Sequence, residues 1–191
     1  APYAAGASRR GGGTLRSRIH ASRMCAAARL ALLAAGGAAG AAERVAVFDP
    51  ELYDTSGEGV REDQQKRLGM IGERLRAALR ESGRFELVDT APLRARLEGG
   101  PPLRTCGTCA PDAAAELGAE LALVTTVHKV SNLILSITMA LREASPGGAT
   151  RAVHSAEIRG NTDESWLHGL RWLLRNRLLA EQAPGRAQRL Q

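Results

Sequence analysis

Cys106 and Cys109 enclose a Gly-Thr pair, a spacing that can serve a disulfide, a thiol redox centre or half of a metal site. A bridge this short gains little from closing a loop of unfolded chain, so its main use would be to order the Gly- and Pro-rich stretch before it. A thioredoxin-like redox site expects a strand with an aromatic residue just ahead of the first cysteine, and Leu103-Arg104-Thr105 supplies neither. Haem attachment needs a histidine after the second cysteine, where Ala110 stands. Zinc needs two further ligands, and His128, His154 and His168 are scattered along the chain. Cys25, the third cysteine, lies in a segment read below as removable. The remaining pair is then an even count, which fits an oxidising compartment.

Other chemistry-bearing residues each have a plainer use beside the functional one. His128 and His154 are expected on neighbouring strands with Glu157 close by, a grouping that suits metal binding or proton transfer. Strand histidines more commonly face solvent or a polar partner. Asp49 ends the first expected strand, and Asp54, Thr55 and Ser56 follow it. Functional residues of α/β sheets often sit there, although turn and cap chemistry uses the same residue types. No Gly-rich phosphate loop follows that strand, and no serine stands in a nucleophile elbow. Asn161, Asp163 and Glu164 suit a recognition epitope, with helix capping as the alternative. Trp166 and Trp172 are six positions apart and face different sides of a helix, so one belongs to the core. Trp172, beside Arg171 and Arg175, is the candidate for a partner surface. No catalytic set stands out, and no cofactor or metal is called for.

The elements that must position these residues follow from periodicity. Val45 to Phe48 is a short apolar strand closed by Asp49-Pro50, and residues 50–61 read as a loop. Leu68, Ile71, Leu75, Ala78 and Leu79 then form one stripe of a helix over about Glu62 to Ser82, with Gly83 as its stop. Phe85 to Asp89 is a second strand, which makes a βαβ unit with a parallel pair. Ala91 to Leu97 adds a helical turn or two, and Pro111 to Leu117 a short helix ended by Gly118. Leu121 to Val127 is a third, central strand. Leu133 to Arg142 alternates with period two, and Thr150 to Ile158 completes an antiparallel meander. Asn161 or Thr162 caps a last helix carrying Trp166, Leu170, Leu173, Leu174 and Leu178. The expected fold is therefore α/β: a single domain with a mixed sheet of about five strands, packed by two long helices.

Charge divides the chain. Arg9, Arg10, Arg16, Arg18, Arg23 and Arg29 fall in the first 41 residues, which hold no acidic residue, and the whole chain has a net charge of +6. Residues 42–191 are thus formally neutral, with no electrostatic footprint for nucleic acid. The run from Met24 through Leu30-Ala-Leu-Leu to Ala39-Gly40-Ala41 has the layout of an export signal cleaved after Ala41. Its apolar core is too short for a membrane span, which needs about 20 residues. A twin-arginine signal at Arg9-Arg10 and an organellar transit peptide are weaker alternatives. A lipid anchor would require a cysteine after the apolar core, and Cys25 precedes it. Lys66 and Lys129 are the only lysines, which reads as the codon bias of a GC-rich bacterium. The domain layout is an export segment over 1–41, a folded domain over 42–180 and a disordered tail over 181–191.

Ser82-Gly83-Arg84-Phe85, Val88-Asp89 and Leu117-Gly118-Ala119-Glu120, in this order of elements, resemble an exported bacterial domain type. It is seen in the N-terminal domain of TolB and in the curli-secretion and penicillin-binding-protein-activator lipoproteins. Within that group, Val45 to Leu179 is most similar to an uncharacterised family of proteobacterial exported proteins, a domain of unknown function. Val130-Ser131-Asn132-Leu133-Ile134-Leu135, the phrase from Arg159 to Trp166 and the Cys106/Cys109 pair carry that closer likeness. Thr126 departs from the broader group, which often has glycine there. The resemblance implies a fold and a periplasmic or secreted address, with an envelope protein as partner and no activity. The expected role is a non-enzymatic domain acting by protein–protein contact. The alternative is a thiol–disulfide accessory protein using Cys106 and Cys109.

Overall fold

The computed structural model describes residues 41–59 and 61–180. The export segment up to Gly40, with Cys25 and most of the Ala39–Ala41 cleavage motif, and the tail 181–191 lie outside the described residues. Six strands form one mixed sheet. β1 (Glu43–Val47) lies parallel to both β3 (Phe85–Val88) and β4 (Leu121–Lys129). β5 (Ile134–Glu143) and β6 (Thr150–Arg159) continue from β4 as the antiparallel meander, giving the order β3-β1-β4-β5-β6.

One strand lies where a loop was expected. β2 (Glu51–Asp54) pairs parallel with the second half of β4, from Glu51 beside Thr126 to Asp54 beside Lys129. β1 reaches only from Leu121 to Leu123 of that neighbour. The Phe48 amide still donates to the Leu123 carbonyl, and Asp49-Pro50 then breaks the ladder before β2 resumes it. Four residues with two apolar side chains carry no strand signal of their own. The pairing comes from the free edge of β4, a tertiary cause.

Both long helices cover one face of the sheet. α1 (Glu62–Ser82) lays Leu68, Ile71, Leu75 and Leu79 against Val45, Val47, Leu121 and Leu123, and each of these side chains is buried. Burying each such side chain stabilises the fold by about 2 kcal/mol relative to leaving it exposed. α4 (Asp163–Leu173) adds Trp166, Leu170 and Leu173 over Leu135, Ile137 and Met139. Gly169 makes that approach possible: a Cβ there would stand 2.3 Å from the Ile158 methyl on β6. After Leu173 the helix widens into a π turn (Leu174–Leu178), closed by the Leu179 amide on the Leu174 carbonyl at 2.9 Å.

The opposite face is smaller and alanine-rich. Ala46, Phe48, Ala122 and Val124 pack under Leu93 of a 3-10 turn (Ala91–Leu93), Leu103 of the loop after α2 (Arg94–Glu98), and Ala110, Ala113 and Ala114 of α3 (Cys109–Glu116), with Leu97 of α2 part-buried against them. The Ser82-Gly83-Arg84-Phe85 phrase acquires a physical meaning here. Gly83 ends α1 at φ +65°, a conformation costly for residues with a Cβ. Ser82 Oγ donates to the Leu79 carbonyl and accepts from the Arg84 amide. The Arg84 guanidinium then donates to the Leu178 carbonyl at 2.7 Å, tying the end of α1 to the end of the last helix. Phe85 enters the core.

Candidate functional site

Cys106 and Cys109 are joined as a disulfide, their Cα atoms 5.5 Å apart. The bridge fastens a turn to the first residue of α3. The Thr105 and Cys106 amides donate to the Pro102 carbonyl, and the Cys109 amide donates to the Cys106 sulfur. A second fastening comes from Glu51 on β2. Its carboxylate accepts from the Leu103 amide at 2.6 Å and the Arg104 amide at 3.1 Å, and it pairs with the Arg104 guanidinium. Leu103 and Ala110, on either side of the turn, are buried. The pair therefore acts as a local staple holding the lid of the smaller core.

The register separates the two strand histidines. His128 on β4 lies opposite Ser136, whereas His154 on β6 lies opposite Met139, with β5 between them. Because neighbouring residues alternate faces, His154 points to the helix-covered side with Met139 and His128 to the other. The expected His128–His154 pair is thus not formed. Glu157 shares a row and a face with Ser136 and His128. His128 stacks on Tyr53 at 4.6 Å, and its Nε2 is 2.9 Å from the Thr55 hydroxyl. Among the described residues no group of three or more His, Cys, Asp or Glu is placed to hold a metal ion. Asp49 is held by Arg76, lies 3.7 Å from Arg94 and is among the residues lining a cavity of about 350 Å³.

The two sequence phrases that carry the closer resemblance meet in one polar network. Lys129, at the end of β4, is fully buried. Its ammonium donates to Glu58 at 2.8 Å and lies 3.5 Å from Asp54. Hydrogen bonds from Ser56 hold the Asp54 carboxyl below its ordinary value of 3.8, with the nearby Lys129 charge adding to the effect. Glu58 is lowered first by its hydrogen bond from Lys129 and then by one from Asn132. Asn132 accepts from Asn161, and Asn161 in turn accepts from the Trp166 indole and from Arg67. Arg67 pairs with Asp63 and with Asp163. Thr162 supplies the cap of α4, its side chain accepting from the Ser165 amide. Asn161 and Asp163, considered above as an epitope, are thus engaged within the domain, while Glu164 lies exposed on the first turn of α4.

Sequence reasoning passed over Lys129, although one signal was available. A chain that uses arginine almost throughout places a lysine where a compact ammonium must fit between two carboxylates.

The far end of α4 has a different character. Trp172 is 37% exposed, while Trp166 is fully buried. The Arg177 guanidinium lies 5.4 Å from the Trp172 ring, a five-residue separation that the wide π turn brings onto one side. A groove of about 620 Å³ runs between the last turns of α1 and the end of α4 with its π turn. Arg74, His168, Arg171 and Arg175 line it, with Glu81 as the one carboxylate among the described lining residues. Among the described residues no helix is long and apolar enough to cross a membrane.

A family model designated DUF3280 and described as "Protein of unknown function (DUF2380)" matches residues 43–178. No curated protein matches the chain. Among solved structures, the chain is similar to the LpoB C-terminal domain from Salmonella enterica, at 17% identity over 64% of this chain and 87% of that one, with a TM-score of 0.45. The same domain from Escherichia coli gives 20% identity, 61% and 82% coverage and a TM-score of 0.44. Lipoprotein GNA1162 from Neisseria meningitidis gives 16% identity, 73% and 98% coverage and a TM-score of 0.48.

Proposed function

The chain belongs to the DUF3280 family of proteins of unknown function, and from that premise we propose that it is a non-enzymatic domain of the bacterial cell envelope that works by protein–protein contact. The observation that carries this reading is the far end of α4, which holds exposed Trp172 and, on the side facing α1, a groove whose arginines outnumber its carboxylates among the described residues. Exposed tryptophan and arginine are the residue types that dominate binding energy at protein interfaces. Elsewhere several charged groups are paired within the domain, as Lys129 is with Glu58 and Asp163 with Arg67. The Cys106–Cys109 bridge suits an oxidising compartment. The signal-like segment ending at Ala41 points to the same address, periplasmic or secreted.

The test is site-specific crosslinking in living cells. A photoreactive amino acid replaces Trp172 in one strain and Arg159, exposed at the end of β6, in another. We expect one discrete adduct with an envelope protein from position 172 and none from position 159. Equal adducts from both positions, or none from position 172, overturns the proposed contact surface. N-terminal sequencing of the exported form tests cleavage after Ala41.

A further inference from the structure

We infer that the groove between α1 and α4 binds an acidic, amphipathic segment of a partner protein; this rests on the contact reading above and names the chemistry of the partner. His168, Arg171 and Arg175 follow one another at intervals of three and four along α4 and into the π turn after it, one line on a helix face about 10 Å long. Arg74 faces them from α1. Among the described residues the only carboxylate in the lining is Glu81, which forms an ion pair with Arg74 at 3.7 Å and leaves the cations of the opposite wall unmatched. Among the described residues no carboxylate pairs with Arg171 or Arg175. Between these cations lie Ala78 and Leu179, part-exposed and packed on the main core. A cationic rim over an apolar floor is complementary to carboxylates spaced along one side of a segment whose other side is apolar.

Charge also rules on the other occupants. Residues 1–41 carry six arginines and no carboxylate, and residues 181–191 carry Arg186 and Arg189 against Glu181. Both segments carry a net formal charge of the groove's own sign, which disfavours them as its occupants. A concave site with its cations on two walls suits an inserted segment better than a membrane surface, onto which a convex or flat face lies down. The volume, about 620 Å³, accommodates several side chains at once.

Fluorescence anisotropy on the full chain tests the inference. The probes are three labelled 16-residue amphipathic helical peptides, with Glu, Gln or Lys on the polar side and the same leucines on the other. We expect the Glu peptide to bind at least about tenfold more tightly than the Gln peptide. Added salt should weaken that binding. Reversing Arg171→Glu together with Arg175→Glu should lose the Glu peptide by a similar factor and gain the Lys peptide. Both arginines are exposed, and an unchanged denaturation midpoint confirms that the variant folds. Equal binding of the Glu and Gln peptides overturns the inference, as does Glu-peptide binding that survives the charge reversal. Stronger binding to vesicles containing phosphatidylglycerol overturns it in favour of a membrane, and self-association of the chain alone in sedimentation does so in favour of a second copy. If a position-172 adduct forms while the peptides fail, the contact reading stands and the acidic-partner inference falls.

Discussion

Replacing Lys129 with methionine isolates the central ion pair while keeping the stem's apolar volume. Lys129 is fully buried and its ammonium has two carboxylate neighbours, at 2.8 Å on Glu58 and 3.5 Å on Asp54. Removing one partner of a buried pair leaves the other charge uncompensated, which typically costs about 3–5 kcal/mol. Here the lower end applies, because the Glu58 side chain is 41% exposed and can turn to water. Asp54 cannot, being 8% exposed, although Ser56 continues to hydrogen-bond it. The expected loss at pH 7 is about 3 kcal/mol, or a fall in Tm of about 10 °C for a domain of this size. Urea unfolding of Lys129→Met, Asp54→Asn and the double variant measures it, and the double-variant cycle should show strong coupling.

The pH dependence gives an independent check on sign. Asp54 and Glu58 both have folded pKa values below their ordinary 3.8 and 4.5. Their stabilisation is therefore present above those ordinary values and is lost as pH falls through the folded ones. The gap between wild type and Lys129→Met should shrink as the pH drops below about 4, where the lysine loses its charged partners. A destabilisation under about 1 kcal/mol at pH 7, or a gap that stays constant down to pH 3, would refute the reasoning.

Three further outcomes follow from single features. Cys106→Ser with Cys109→Ser should cost only about 2 kcal/mol, since the cysteines are three residues apart and close a minimal loop; chemical denaturation measures this, and a loss above about 4 kcal/mol would mean that the staple organises far more than its own turn. Gly169→Ala should destabilise by about 3 kcal/mol, because its new methyl would enter the space held by Ile158; combining it with Ile158→Ala should recover part of the lost Tm. Arg84→Met should remove the tie from Arg84 to the Leu178 carbonyl and cost about 1 kcal/mol. Hydrogen exchange should show faster opening of the last helical turn, and unchanged exchange there would count against that tie.

Local pattern made most of the framework legible. The α1 stripe, the alternation of β5, the Gly83 stop and the Thr162 cap are each a property of a few consecutive residues, and each is found in the structure. What depends on register was not legible. Whether His128 and His154 share a face is decided by the exact lengths of two turns, and a one-residue slip moves a whole strand's side chains to the other side. β2 escaped notice because its cause is a vacancy on β4, some 75 residues away in sequence. The polar network was hidden for a related reason. Lys129, Asn132 and Asn161 look like ordinary turn residues until three connections arrive at one end of the sheet. The cationic groove was half visible: His168, Arg171 and Arg175 stand close together in sequence, but the opposing Arg74 belongs to α1.

The relay of β1 and β2 along β4 also governs the order in which the domain can be assembled. β4, β5 and β6 are consecutive and antiparallel, so that meander needs only two short turns to close. β1 has no such neighbour. Its two parallel partners are β3, with Glu43 beside Phe85, and β4, which lies 76 residues on by the Arg44–Glu120 contact, so its pairing must await α1 and then much of the chain. Although it is the first of the described strands in the chain, β1 is thus completed after the meander can close. Until then Val45-Ala46-Val47-Phe48, all buried in the finished domain, stands as an unprotected apolar edge. A nascent or translocating chain would need shelter at that segment first.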